Sequence, residues 1–412
     1  MKQMEPGSIG VFFTNPEQVR NNDVDFMFRA DSNFLYLTGF EEPDAALLLV
    51  PGGFDLDGKR VTEVLFCNVT TQMSLTWLGY RMGPENAVRL LGVQAAKPNN
   101  VFDTVLNAAI KEANPKMVYT SLTLEGVGRE RAGMVTAYKN LTTGLKTERM
   151  DRTLAAMREI KSPFEIGLIR MAVNASVAGH IAALGVARPG IRENEVGMMA
   201  SYTFAKNGCE FDGYPAIVGS GPNSTILHYN TNRRVMQAGE IICMDAAGEY
   251  HGYSADVTRS FPVSGKFSPE QKAIYEIVLA ACDAGIAQCK PGASRNAVTQ
   301  AINMVLTEGL TKLGIIAGPD QLRNYYMHGW GHGIGLDVHD PWPSSTFAPG
   351  MTFTVEPGIY IKEGSPCDKK WWNIGIRIED DILITASGHE NMSAKAPRTV
   401  AEVEAAMAHG SR

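Results

Sequence analysis

At 412 residues the chain exceeds what one hydrophobic core usually serves, so two domains are expected. An apolar content of 44% with 20% charged residues argues against a disordered chain, which cannot bury enough apolar surface to offset its ordering entropy. A formal charge of -6 without a basic stripe argues against nucleic acid or an anionic membrane as partner, because such binding is carried by clustered Lys and Arg.

Residues 1–10 lack the charged flank, apolar stretch and small-residue cleavage site of a secretory leader. Uninterrupted apolar runs such as 45–50 fall far short of the roughly 20 residues a bilayer demands. The six cysteines (Cys67, Cys209, Cys243, Cys282, Cys289, Cys367) form no C-x-x-C pair. A soluble, cytoplasmic protein with reduced thiols is expected.

In chain order, short β-like runs are predicted at 8–13, 45–50, 61–67 and 116–120. Between them lie a helix from Pro84 to near Gly92, with Pro at its start and Gly past its end, and a second helix over 102–113. This alternation indicates an α/β domain. A new domain opens near Ser162, where Ser162-Pro163-Phe164-Glu165 supplies a capping box with Pro at the first helical position. Behind it Ile166, Ile169, Val173, Val177, Ile181 and Leu184 recur at helical spacing and are expected to form one buried face. His180 reads as a packing residue on this helix, and Met198-Met199 as helix packing. The same capping grammar recurs at Ser268-Pro269-Glu270-Gln271, followed by Ile274, Ile277, Val278 and Ala281. With β-like runs at 240–245, 351–356 and 375–384, the second domain is mixed α+β.

This second domain carries an ordered set of metal-capable side chains: Asp245, Asp256, His332, Glu356 and Glu379. Four carboxylates and one imidazole suit an oxygen-rich site for two divalent ions, with a carboxylate and a water shared between them. Asp256 and Glu379 suit the bridging positions, and the hard ligands favour Mn²⁺, with Co²⁺, Fe²⁺ or Zn²⁺ compatible by ligand type. Asp245 ends a strand-like run, and a turn through Gly248 and Gly252 would fold Asp256 back beside it. In Gly375-Ile376-Arg377-Ile378-Glu379, Arg377 and Glu379 share one strand face, so Arg377 is placed to orient a ligand from behind. Glu356 precedes Pro357-Gly358, which ends the ladder and exposes its carboxylate.

From His328 to Asp340 the chain alternates glycines with other residues, a pattern read as permitting close backbone approach to a ligand. His328, His332 and His339 lie in this stretch, as one ligand and two imidazoles able to move protons. Any one of these carboxylates alone is most often a solvated strand-end group, so the weight rests on the set. His389 and His409 read as surface positions. Trp330, Trp371 and Trp372 read as core or pocket wall.

The stretches Ile217-Val218-Gly219-Ser220-Gly221 with Ile226-Leu227-His228-Tyr229, Met244-Asp245 with Asp256-Val257-Thr258-Arg259, residues 328–340, Val355-Glu356-Pro357-Gly358 and Gly375 to Asp381 resemble the pita-bread metallopeptidases. Within them the chain is similar to the aminopeptidase P type and its relative prolidase. The likeness extends to Phe28-Arg29 and Ser32 to Phe40 in the first domain. It implies an α/β N-terminal domain at 1–155, followed by an α+β pita-bread (creatinase/aminopeptidase-like) catalytic domain at 156–412.

The resemblance further implies two Mn²⁺ held by Asp245, Asp256, His332, Glu356 and Glu379, and hydrolysis of the N-terminal Xaa-Pro bond by a metal-bridging hydroxide. Glu356 would be general base and acid, assisted by His228 and His339. His328, Tyr229 and Arg377 would serve the substrate, a peptide with proline second. A free substrate amine on one metal would make the enzyme count from the N-terminus. A homo-oligomer, dimer or tetramer, is implied, with Trp77 of the first domain in a context that reaches a neighbouring site. Prolidase is the nearest rival, kept in play by Lys369 and Lys370. Methionine aminopeptidase resembles only the second domain, creatinase lacks the metal set, and an inactive binding protein on this fold would have lost ligands.

Overall fold

The computed structural model describes residues 1–121 and 132–410. The chain divides into two compact units, Met1–Ala155 and Ala156–Arg412.

The first unit is built on a six-stranded mixed sheet. Its order is Ala96–Pro98, Lys59–Cys67, Ala46–Leu56, Ser8–Phe13, Met117–Thr120 and Lys146–Arg149. Ser8–Phe13 runs antiparallel to Ala46–Leu56 and parallel to Met117–Thr120. Alternation along Ser8–Phe13 sends Ile9, Val11 and Phe13 into one core and Phe12 into the other. The first core includes Phe102, Val105, Leu106 and Ala109 of the Phe102–Ala113 helix; the second takes Phe34 of Ser32–Thr38 and Ala87 of Gly83–Leu91. Burial on both faces accounts for the continuous apolar runs in these strands. Gly92 closes its helix at φ +73, a left-handed position that glycine occupies without strain.

In the second unit, helices cover several small antiparallel sheets. Ser162 and Ser268 make both halves of their capping boxes, opening Pro163–Val186 and Pro269–Ile286. Pro163–Val186 is long and apolar enough to cross a membrane by length and composition, and half of its apolar window is buried. Ile169, Val173, Val177 and Leu184 are buried there as expected. Ile181 is not: it is 45% exposed, and His180 takes the interior place beside it. Burial pushes the His180 imidazole down to about 4, keeping it neutral, and its Nε2 donates to the Ala246 carbonyl at 2.9 Å. Met198 is likewise exposed rather than packed.

Three sheets position the site. Ile241–Asp245 lies between Ile217–Ser220 and Thr258–Pro262, placing Asp245 opposite both Ile217 and Thr258. The reversal that returns the chain is a small hairpin, Gly248–Tyr250 with Tyr253–Ser254, turning at His251 (φ +47) and Gly252 (φ +80). Thr352–Val355 pairs with Asp380–Ile384, whereas Gly358–Ile361 pairs with Ile374–Arg377. The run expected as one strand over 375–384 is therefore two, broken at Ile378 and Glu379, where the Glu379 amide donates to the Thr258 carbonyl at 3.1 Å. That break lets one segment place Arg377 and Glu379 against a third strand.

Candidate metal centre

Asp245, Asp256, His332, Glu356 and Glu379 all line one cavity of about 350 Å³ in the second unit, together with His228, His328, His339 and Arg377. Asp256, His332 and Glu379 offer ligand atoms within 4.8 Å of one another. His332 Nε2 lies 3.3 Å from Asp256 and 3.6 Å from Glu356. Its other nitrogen donates to the Gly333 carbonyl at 3.1 Å, the orientation that aims Nε2 at a metal. Backbone bonds from the Glu356 amide to the Trp330 carbonyl (2.8 Å) and from the Thr354 amide to the His332 carbonyl (2.9 Å) hold the two segments in register.

Behind the ligands runs a chain of polar contacts. The Arg377 guanidinium pairs with Asp245, donates from Nε to the Thr258 hydroxyl at 3.0 Å, and donates to the Tyr360 hydroxyl at 3.0 Å. The Thr258 hydroxyl donates to the Glu379 carboxylate at 2.6 Å. Tyr360 in turn donates to His328 Nε2 at 2.8 Å, while His328 Nδ1 donates to the Gly329 carbonyl at 2.7 Å. Burial, with Arg377 nearby, pushes His328 down to about 4, consistent with a neutral ring that accepts at Nε2. The His339 ring stacks on His332 at 3.7 Å between centroids.

The electrostatics call for cations. Four carboxylates face one guanidinium, Arg377. Burial raises Glu356 to about 7 and Asp245 to about 6, and holds Glu379 well above the usual carboxylate range. Burial opposes charge on Asp256 and His332 too, but their mutual hydrogen bond prevails, lowering Asp256 and raising His332 to about 9. Divalent ions fit this donor set, since they would supply the missing positive charge and displace these protons.

Residues 167–386 match metallopeptidase family M24. The chain belongs to that family. Residues 1–119 match the N-terminal domain of aminopeptidase P. The chain is 36% identical over 426 residues to the Xaa-Pro aminopeptidase of Escherichia coli K12, covering 99% of this chain and 95% of that protein. Among solved structures it is similar to Pseudomonas aeruginosa aminopeptidase PepP, with TM-score 0.92, 37% identity, and coverage of 99% and 96%. It is also similar to E. coli aminopeptidase P with the inhibitor Pro-Leu, with TM-score 0.89, 35% identity, and coverage of 99% and 95%. The α/β N-terminal domain and pita-bread catalytic domain anticipated from sequence are the architecture of this chain.

Within the M24 unit two readings of the sequence meet other surroundings. Tyr229 is not among the residues that line the cavity with His228; its hydroxyl donates to the buried Glu193 carboxylate at 2.9 Å. Two of the alternate glycines admit protein: a Cβ on Gly331 would meet the Thr354 carbonyl oxygen at 2.0 Å, and one on Gly333 the Asp340 carbonyl oxygen at 2.4 Å, whereas Gly329 opens on the cavity with nothing within 4 Å of an added Cβ. Trp330 and Trp371 are core. His389 is exposed and bonds the Cys289 carbonyl at 2.8 Å, and the His409 side chain lies outside the described residues.

Sequence reading missed Tyr214, whose hydroxyl lies between Asp245 and Asp256, 2.6 Å from the latter. It missed Thr258 and Tyr360 as individual contributors as well. Their one available signal was position: Tyr214 precedes the Ile217–Ser220 strand that pairs with Asp245, Thr258 sits within a motif stretch, and Tyr360 follows two residues after another. Tyr214 also borders an adjoining cavity of about 310 Å³, lined by Pro215, Ile217 and Val338 and sharing His228 and His339 with the first.

Proposed function

We propose that the centre holds two divalent ions, Mn²⁺ by preference of its hard ligands, gripped by Asp245, Asp256, His332, Glu356 and Glu379. The chain is a metal-dependent Xaa-Pro aminopeptidase, releasing the residue that precedes proline. The observation carrying this reading is the convergence of four carboxylates, three of them buried and Glu356 half-buried, and one imidazole on a single cavity with one guanidinium among them. When bound, such ions make a shared water acidic near neutral pH and polarise the scissile carbonyl.

The protein's own groups do the rest. Glu356, whose carboxylate lies at the cavity 3.6 Å from His332, is placed to take the proton of the nucleophile and return it later. His228 and His339, at the cavity wall, complete proton delivery to the departing proline nitrogen. An Xaa-Pro bond has no N–H to grip, so proline is recognised by shape. His328, flanked by the Tyr326 and Tyr360 rings at 5.0 and 5.5 Å, forms that wall. Arg377 keeps Asp245 and His328 in place rather than binding substrate directly. Tyr229 contributes by anchoring the segment that bears His228.

A dipeptide specialist must hold a proline carboxylate, and the two lysines that kept this rival in play do not reach the site: Lys369 and Lys370 are exposed over the Trp372 and Trp371 rings and line neither cavity. Hydrolysis of an Xaa-Pro-Yaa tripeptide beside an Xaa-Pro dipeptide, both with added Mn²⁺, is therefore expected to show cleavage of the tripeptide at a much higher rate. Cleavage of the dipeptide alone would make the protein a prolidase.

In the first unit Met73, Trp77, Leu78 and Tyr80 are 64 to 85% exposed. A contiguous apolar surface of this kind suits association of copies into a dimer or tetramer. The unpaired thiols, five of the six buried, support a cytoplasmic place.

A further inference from the structure

Asp340, the residue after His339, is buried with two cations. Its Oδ2 accepts from the Lys161 ammonium at 2.9 Å and its Oδ1 from the Arg158 guanidinium, with side chains 1, 3 and 4% exposed for Asp340, Lys161 and Arg158. Oδ1 also accepts from the Asp337 amide at 3.1 Å, and Arg158 reaches the Asp337 carboxylate at 2.6 Å. Between the two cations Glu159 takes the Ser344 amide at 2.8 Å and its hydroxyl at 2.7 Å. Three side chains at the start of the second unit thus fasten both ends of residues 337–344, the segment that carries His339.

The fastening continues to the metal ligands. The Asp340 amide donates to the Gly333 carbonyl at 2.8 Å, next to His332, on whose ring His339 is stacked. A buried ion cluster adds little net stability, since apolar residues of similar volume often serve as well. What it adds is a single allowed arrangement, because each charge tolerates no position in which it is unpaired.

We infer that Arg158, Lys161 and Asp340 are positioning residues for His339, fixing the angle at which its ring meets the cavity. The inference rests on the role given to His339 above. Displacement of a reacting group by about an ångström costs up to about 100-fold in rate.

The test is a double-mutant cycle on the metal-loaded full chain, with an Xaa-Pro-Yaa tripeptide as substrate. Lys161→Met is expected to lower kcat about 10-fold with KM changed less than about twofold and metal content retained. In a His339→Ala background the same substitution is expected to cost nothing further. Asp340→Asn, which keeps the backbone pairing with Gly333, is expected to repeat the pattern and stands in should Lys161→Met fold poorly. Losses that multiply across the two backgrounds, or a normal kcat in both Lys161→Met and Asp340→Asn, would overturn the positioning role while leaving the function intact. A His339→Ala chain of undiminished rate would overturn the role of His339 and the inference with it.

Discussion

A Glu379→Gln chain is expected to lose its divalent metal and to fall on the order of 10³-fold or more in kcat/KM on an Xaa-Pro-Yaa tripeptide, read by metal analysis and initial rates on one preparation. The glutamine keeps the shape of a residue that is 2% exposed, and its amide oxygen still accepts from the Thr258 hydroxyl, so local packing is preserved. What disappears is one negative charge from a set that faces a lone guanidinium, and with it a ligand proposed to bridge both ions. Full metal content with a near-normal rate would remove Glu379 from the centre.

The second large effect is expected at Glu356. Its carboxylate lines the cavity 3.6 Å from His332, where it can both accept and release a proton. Glu356→Gln removes that capacity and weakens one metal contact. The expected result is a kcat reduced by about 10² to 10⁴-fold with KM little changed, measured at saturating Mn²⁺ to separate chemistry from metal loss. A rise in KM alone, with kcat unchanged, would mean that Glu356 binds substrate and moves no proton.

Much of this was legible in the sequence because local chemistry and global fold agree. The capping boxes at Ser162 and Ser268 need only residues within one helical turn, and the Phe102–Ala113 helix follows from its own periodicity. The five metal-capable side chains stand out because carboxylates at strand ends, before Pro357 or beside Arg377, lie where a ladder stops. Other features depend on partners distant in sequence. Period-two alternation passes unbroken through Ile378 and Glu379, so nothing local reveals that Arg377 and Asp380 belong to different sheets. His180 replaces Ile181 inside because the Ala246 carbonyl awaits it, 66 positions along the chain. Tyr214 is a single hydroxyl in a loop, and only the return of Asp256 beside Asp245 gives it two carboxylates to join.

The glycines of residues 329–335 teach a related point. Their spacing signals close approach, yet says nothing of what approaches. The carbonyls of Thr354 and Asp340 fill that room at Gly331 and Gly333, while Gly329 opens on the cavity.

The central claim is that these side chains bind a pair of divalent ions, and calorimetric titration of the metal-free protein with Mn²⁺, paired with tripeptide hydrolysis at each addition, tests it most directly. Because Glu356, Asp245, Glu379 and His332 hold protons in the metal-free site at pKa values raised to about 7, to about 6, well above normal and to about 9, those protons must leave as metal enters. Affinity should therefore rise with pH, being weaker at about pH 6 than at about pH 8, with protons released on binding. The account expects two ions per chain and activity that returns as they bind. Full hydrolysis by a chain that takes up no metal would contradict it.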